Sequence, residues 1–294
     1  MNKAFVALFV LGSISSPVLA DEKISIRFAA EVGGQPFKCG DSYSSIGSTN
    51  SRITPSDFRF YVANVELIDV NGKAVPLALE QDAVWQYKNV ALLDFENRSG
   101  PCVTGTAETR EIVTGTVPKG EYRGLRFQLG VPFELNHADA TIAPSPLNLT
   151  SLFWNWQAGY KFLRVDLASS GRQQDIKPGD VPRFGDREGS NRLGFAIHIG
   201  STMCAASGPT DKPTACANPN RATIEFANFD ASKNVVVADL KGLLDGVNVD
   251  VNQPETPAGC MSTPNDSDCN PLMRNAGLGF GGTQPDGQKF FRIK

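Results

Sequence analysis

The sequence predicts an all-β protein: an antiparallel β-sandwich, or a barrel-like sandwich, with long loops and disulfide bonds. Three observations predict it. Short apolar runs alternate with period two, which turns one face of a strand to a core and the other away. The 28 glycines and 19 prolines punctuate those runs, as turns between antiparallel strands require. Six cysteines follow a leader-like N-terminus, and an even count in an exported chain reads as a disulfide framework.

The leader comes first. Lys3 supplies positive charge, and an apolar run from Ala4 to Leu11 extends to Ile14. Pro17 precedes Val18-Leu19-Ala20, with small residues at the −3 and −1 positions of a cleavage site, before the polar Asp21-Glu22-Lys23. Residues 1–20 are therefore expected to be a signal peptide and residues 21–294 a single mature domain. The apolar run falls short of the roughly 20 residues of a membrane span, so no membrane insertion is expected. The expected location is the bacterial periplasm, not the cytosol. A formal charge of −3, from 28 basic and 31 acidic residues, argues against a nucleic-acid partner.

Strands are expected at Ile24–Phe28, then Phe58–Val62 running on towards Ile68, where Asn71-Gly72 is a two-residue hairpin turn before Val75-Pro76-Leu77. Val90–Phe95, Gly124–Gly130, Lys161–Leu167, Leu193–Ile199, Ala222–Phe226 and Asn234–Leu240 follow. Helix signals are weak; one short turn is expected within Val236–Leu244, with Asp239 as its cap. Two long excursions, Ser169–Ser190 and Val251–Cys269, are expected to be functional or mobile. The Gly-rich stretch Gly277–Gly287 is expected to pack loosely.

Six cysteines allow 15 pairings, among which sequence alone does not choose. Cys204 with Cys216 and Cys260 with Cys269 each bracket a short polar loop. Pairing them locally leaves Cys39 with Cys102. A thiolate metal site is disfavoured, because there is no CxxC pair and the compartment oxidises thiols.

No GxSxG elbow, HExxH, P-loop or GxGxxG motif is present, and the chain is not expected to be an enzyme. It has only two histidines, His137 and His198, which excludes a three-histidine metal site. His137 lies on a loop leaving a strand, with Asp139 near enough to orient its ring. His198 lies within a strand, where a hydrogen-bonded core residue is the commoner outcome. The three tryptophans are Trp85, Trp154 and Trp156. Trp154 and Trp156, two apart, would share one face of a strand as core or as an aromatic patch.

Several runs in this order resemble a known family. They include Asp57-Phe58-Arg59-Phe60-Tyr61-Val62, Ala91-Leu92-Leu93-Asp94-Phe95-Glu96 and Gly130-Val131-Pro132-Phe133. Asn136-His137-Ala138-Asp139 follows, then Trp154-Asn155-Trp156-Gln157-Ala158-Gly159-Tyr160-Lys161-Phe162, His198-Ile199-Gly200-Ser201-Thr202 and Gly259-Cys260-Met261-Ser262. The chain is similar over most of its mature length to the MbnP-like family, also called metallo-mystery pair four-Cys proteins. The resemblance implies a periplasmic β-sandwich that binds copper through two histidines and kynurenine, an oxidised tryptophan made by a dihaem cytochrome c peroxidase-like (MbnH-type) partner. Carried over to this chain, His137 and His198 take the histidine positions, and Trp85 is the first choice of precursor, with Trp154 and Trp156 as alternatives. Indole nitrogen only donates a hydrogen bond, whereas kynurenine carries an aryl amine and a ketone that can ligate. Related copper proteins have a tryptophan two residues before a histidine; here that position is Leu135. Cys39, Cys102, Cys204 and Cys216 match the four of the family name, with Cys260 and Cys269 as an added pair.

The expected function is copper handling or uptake. A low coordination number from two imidazoles and a kynurenine suits Cu(I), though imidazole also serves other metals. Met261 offers a further soft donor, with packing beside a disulfide loop as its plainer role. The alternative is an exported sandwich without metal that binds glycans or proteins through Trp154 and Trp156.

Overall fold

The computed structural model describes residues 20–155, 157–171, 194–208, 211–285 and 287–294. Residues 1–19 of the expected leader, Trp156 and residues 172–190 of the first excursion lie outside the described residues.

Two sheets face each other. The first runs Phe291–Ile293, Val236–Asp239, Asp21–Val32, Ile112–Pro118, Ala78–Leu79. The second runs Ala222–Phe226, Tyr122–Leu129, Ser51–Asp69, Leu163–Ser169, Gly194–Ile199, Gly259–Cys260, with shorter strands attached to its long member. Pairing is antiparallel except where Asp21–Val32 meets Val236–Asp239 and Gly194–Ile199 meets Gly259–Cys260. The architecture is the all-β sandwich expected from the alternating runs.

Phenylalanines fill the space between the sheets. Phe28 of the first sheet meets Phe60 and Phe127 of the second at 6.3 and 5.7 Å between ring centroids. Phe291 meets the same two at 5.5 and 5.3 Å. Edge-on contacts of this kind add to area burial because ring edges and faces carry opposite partial charge.

The 19-residue strand Ser51–Asp69 organises the second sheet. Phe58, Phe60 and Val62 point into the main core. Simple alternation would leave Asp57, Arg59, Tyr61 and Ala63 wet, yet all four are buried. The segment from Val131 to Phe162 folds over that outer face. It adds a second apolar cluster that includes Tyr61, Val90, Leu147, Leu152, Tyr160 and Phe162. A face covered in this way can hold charged groups away from water, and it does.

Local signals act at the turns. The hairpin forms at Asn71-Gly72 with one residue more than the two expected: Asp69 faces Lys73, Val70-Asn71-Gly72 make the loop with Gly72 at φ +82°, and Asp69 Oδ1 accepts from the Asn71 and Lys73 amides. Asp239 caps the short helix Leu240–Leu243 by accepting from the Lys241 amide at 3.0 Å. A second short helix, Cys269–Asn275, has no sequence expectation behind it. The Gly-rich stretch is anchored where looseness was expected: Leu278 and Phe280 within it are buried against the core.

Cys39–Cys102, Cys204–Cys216 and Cys260–Cys269 are disulfides. Among the described residues no helix is long and apolar enough to cross a membrane.

Candidate metal centre

His198 lies in the strand Gly194–Ile199, whose Phe195, Ile197 and Ile199 point into the main core. Its own side chain therefore faces the covered outer side, where only 8 % of the residue is exposed. Its Nε2 is 2.7 Å from Asp166 Oδ1 on the adjacent strand. Burial pushes the His198 imidazole down against the pull of Asp166. Burial alone would raise the Asp166 carboxyl, but His198 and Arg164 hold it well below the usual carboxylate range.

Asp166 belongs to a chain of ionic contacts across that face. Arg164 Nη2 and Nε donate to Asp166 Oδ2 at 2.6 and 2.9 Å, and Arg164 Nε is also 3.1 Å from Asp57 Oδ2. Arg59 grips Asp57 with Nε at 2.8 Å and with Nη2. Arg59 Nη1 is 3.8 Å from Glu96 Oε1. Asp94 and Glu96 crowd the same guanidinium; burial pushes Asp94 up to about 8 and raises Glu96 as well. Taking such charges out of water costs several kcal/mol per ion, so each needs its partners.

His137 ends the short helix Phe133–Asn136 and is 4 % exposed. The Tyr160 amide donates to Asn136 Oδ1 at 2.8 Å, which fixes the orientation of the Asn136 amide. In the metal-free protein Asn136 Nδ2 then donates to His137 Nε2 at 3.2 Å, to the lone pair that a bound metal would take in its place. Cys216 Sγ lies 3.5 Å from the same nitrogen, and the Phe133 ring packs on the imidazole at 4.8 Å. Asp139 was expected to orient this ring. Its Oδ1 instead accepts from the Thr141 amide and hydroxyl, and Asn136 orients His137 Nε2.

Two glycines of the family-like runs have a steric reason. Gly159, at φ +83°, would drive a Cβ to 2.4 Å from the Asn136 side chain. A Cβ on Gly200 would meet the Trp154 ring at 2.5 Å and the Tyr160 carbonyl at 2.6 Å.

Strand register relates the two histidine-bearing segments to the long central strand. Leu129, the end of the strand before His137, pairs with Val62. Ile199, the end of the His198 strand, pairs with Leu163, which pairs with Phe60. Leu129 thus adjoins the long central strand while Ile199 lies one strand beyond Leu163, and Tyr160 touches both segments: its amide holds Asn136 and its carbonyl lies against Gly200.

Trp85 is part-buried against the second cluster, its amide on Asp82 and its carbonyl accepting from Leu92. Trp154 lies against Gly200 and lines a cleft with Gln157, Ser201, Met203, Cys204 and Met261. Trp154 thus touches the exit of the His198 strand and shares a cleft with Cys204, whose disulfide partner Cys216 lies 3.5 Å from His137.

Among the described residues, two groups bring three His, Cys, Asp or Glu ligand atoms within 4.8 Å: His137 with Cys204 and Cys216, and Glu96 with Cys39 and Cys102. In both the sulfurs are disulfide sulfurs, so neither group offers the thiolate that metals bind.

The MbnP family profile matches residues 21–262. MbnP from Methylosinus trichosporium has a solved structure that superimposes with a TM-score of 0.78 at 30% identity, covering 94% of this chain and 99% of that one. A search of curated proteins finds no match. A matched profile over most of the chain, together with a superposition at that identity, makes this protein a member of the MbnP family, whose association is with metals.

Proposed function

We propose that this chain is a periplasmic copper-binding protein in which His137, His198 and one tryptophan oxidised to kynurenine hold the ion. The observation that supports the reading is that, in an MbnP-family chain, the segments carrying its only two histidines both touch Tyr160, through Asn136 and through Gly200. With every cysteine in a disulfide, imidazole is the best neutral donor left among these side chains. Two imidazoles and an aryl amine make a low-coordinate set that suits Cu(I). The role is copper handling or uptake, and the chain is the substrate of its partner's oxidation rather than a catalyst.

The oxidation needs a peroxide-driven oxidant, which a dihaem cytochrome c peroxidase-like (MbnH-type) partner supplies. The indole C2=C3 bond is cleaved and two oxygens are added. Hydrolysis then releases the C2 carbon as formate, leaving an aryl amine and a ketone. The side chain thereby gains one oxygen and loses one carbon. Trp85, Trp154 and Trp156 compete for this role; the contact of Trp154 with Gly200 and its shared cleft with Cys204 favour it among the two described.

Copper retention after dialysis tests the proposal. The protein co-expressed with the partner should hold one copper, and H137A and H198A should each lose it. Full retention in both variants would leave the metal-free interaction module as the reading.

A further inference from the structure

We infer that Asp166 is a positioning residue that locks His198 as the Nε2–H tautomer, so that Nδ1 is the nitrogen presented to the metal. This rests on the reading of His198 as a ligand.

A carboxylate only accepts hydrogen bonds, so the proton of the His198–Asp166 contact sits on Nε2. The 2.7 Å separation is that of a charge-assisted bond. In a neutral imidazole one nitrogen carries the proton and the other the lone pair, which here is Nδ1. No hydrogen bond to Nδ1 is present among the described residues.

Asp166 has no freedom to release the ring. Its Oδ2 takes both Arg164 donors, which leaves Oδ1 for His198. Arg164 is itself held by Asp57 and by the Ser151 carbonyl, which accepts from Nη1 at 3.0 Å. The backbone of His198 is pinned as well. Ser262 Oγ donates to the His198 carbonyl and accepts from the Gly200 amide, both at 3.1 Å. The ring is therefore held at its Cα and at Nε2, and the remaining nitrogen has one direction to point. Outer partners of this kind orient a ligand and raise its basicity, and their loss costs roughly 10–100-fold in metal affinity.

Asp166→Asn separates this role from simple packing. Arg164 donates to whichever atom faces it, so Arg164 keeps the amide oxygen. The amide nitrogen then faces His198 and donates to Nε2, and the imidazole proton moves to Nδ1. The shape of the contact survives and the ligand lone pair is removed.

The test is long-range ¹⁵N–¹H NMR of the histidine rings in metal-free protein, together with copper competition titrations. Wild type should show His198 as the Nε2–H tautomer. D166N should show Nδ1–H and bind copper roughly 10–100-fold more weakly. A wild-type Nδ1–H tautomer overturns the inference without any variant having to fold. Unchanged copper affinity in D166N overturns it too. If H198A keeps its copper, the ligand reading has failed and takes the metal-facing claim with it. If H198A loses copper while wild-type His198 is the Nδ1–H tautomer, only the role of Asp166 is wrong.

Discussion

Cys216 Sγ lies 3.5 Å from His137 Nε2, so one of the two histidines rests directly on a disulfide. The bridge to Cys204 closes a hairpin in which these two cysteines face each other across paired strands. It therefore fixes one wall around His137, and Cys204 also lines the cleft beside Trp154.

Replacing both Cys204 and Cys216 with serine should remove about 3 kcal/mol of stability, the chain-entropy value for a loop of roughly 15 residues. Copper retention should fall further than that loss of stability accounts for, because His137 loses its wall. Urea denaturation and copper content of the same preparation check both halves.

Arg59 is the hub of the buried ionic chain, fully buried between Asp57 and Glu96. Arg59→Ala leaves Glu96 without its cation and Asp57 with Arg164 alone, and should cost about 3–5 kcal/mol, the usual penalty for stranding a buried charge. Lysine should restore part of it, since it supplies charge without the two-pronged grip on Asp57. Urea midpoints of wild type, R59A and R59K are the measurement.

Asp94 sets a dependence on pH. Burial holds its carboxyl up to about 8 in the folded protein, far above the unfolded value. The folded state thus binds the proton more tightly. The stabilisation is complete below the unfolded pKa near 4 and is lost as pH rises through about 8. Asp94→Asn should flatten this loss. Unfolding free energies at pH 5 and pH 8 should differ less in D94N than in wild type, and an equal difference would show that Asp94 does not carry the effect.

The tryptophans separate by single substitution to phenylalanine in protein co-expressed with the oxidising partner. One of W85F, W154F and W156F should abolish the mass change of one added oxygen and one lost carbon, and with it tight copper binding. We expect W154F. Peptide mass spectrometry of each variant identifies the residue.

The mature chain should begin at Asp21 and be released with periplasmic contents by osmotic shock. Intact mass of the released protein checks the cleavage site.

Much of the fold was legible in the residues alone. Alternation at Phe58–Val62, Gly124–Gly130 and Phe195–Ile199 placed strands, because a period of two is a local property of an extended backbone. The Asp239 cap and the position of the Asn71-Gly72 hairpin were equally local, though the hairpin loop holds three residues and not two. Two short loops suggested the local disulfides, which the structure contains, and the family was legible in runs that include Gly159 and Gly200, whose missing Cβ atoms the packing of Asn136 and Trp154 requires.

The sequence by itself determined which groups exist for chemistry: two histidines, three tryptophans and no free thiol once the cysteines pair. It did not determine what holds them. Asp166 lies 32 positions from His198 and Asn136 adjoins His137, and neither stands out from the background of polar residues. Alternation also misjudged Asp57 and Arg59, which pattern places on a wet face. Only the tertiary structure decided these points, because burial and hydrogen-bond partners depend on what distant segments lay over a strand. Here Val131–Phe162 covers the outer face of Ser51–Asp69, and register sets Leu163 between Phe60 and Ile199.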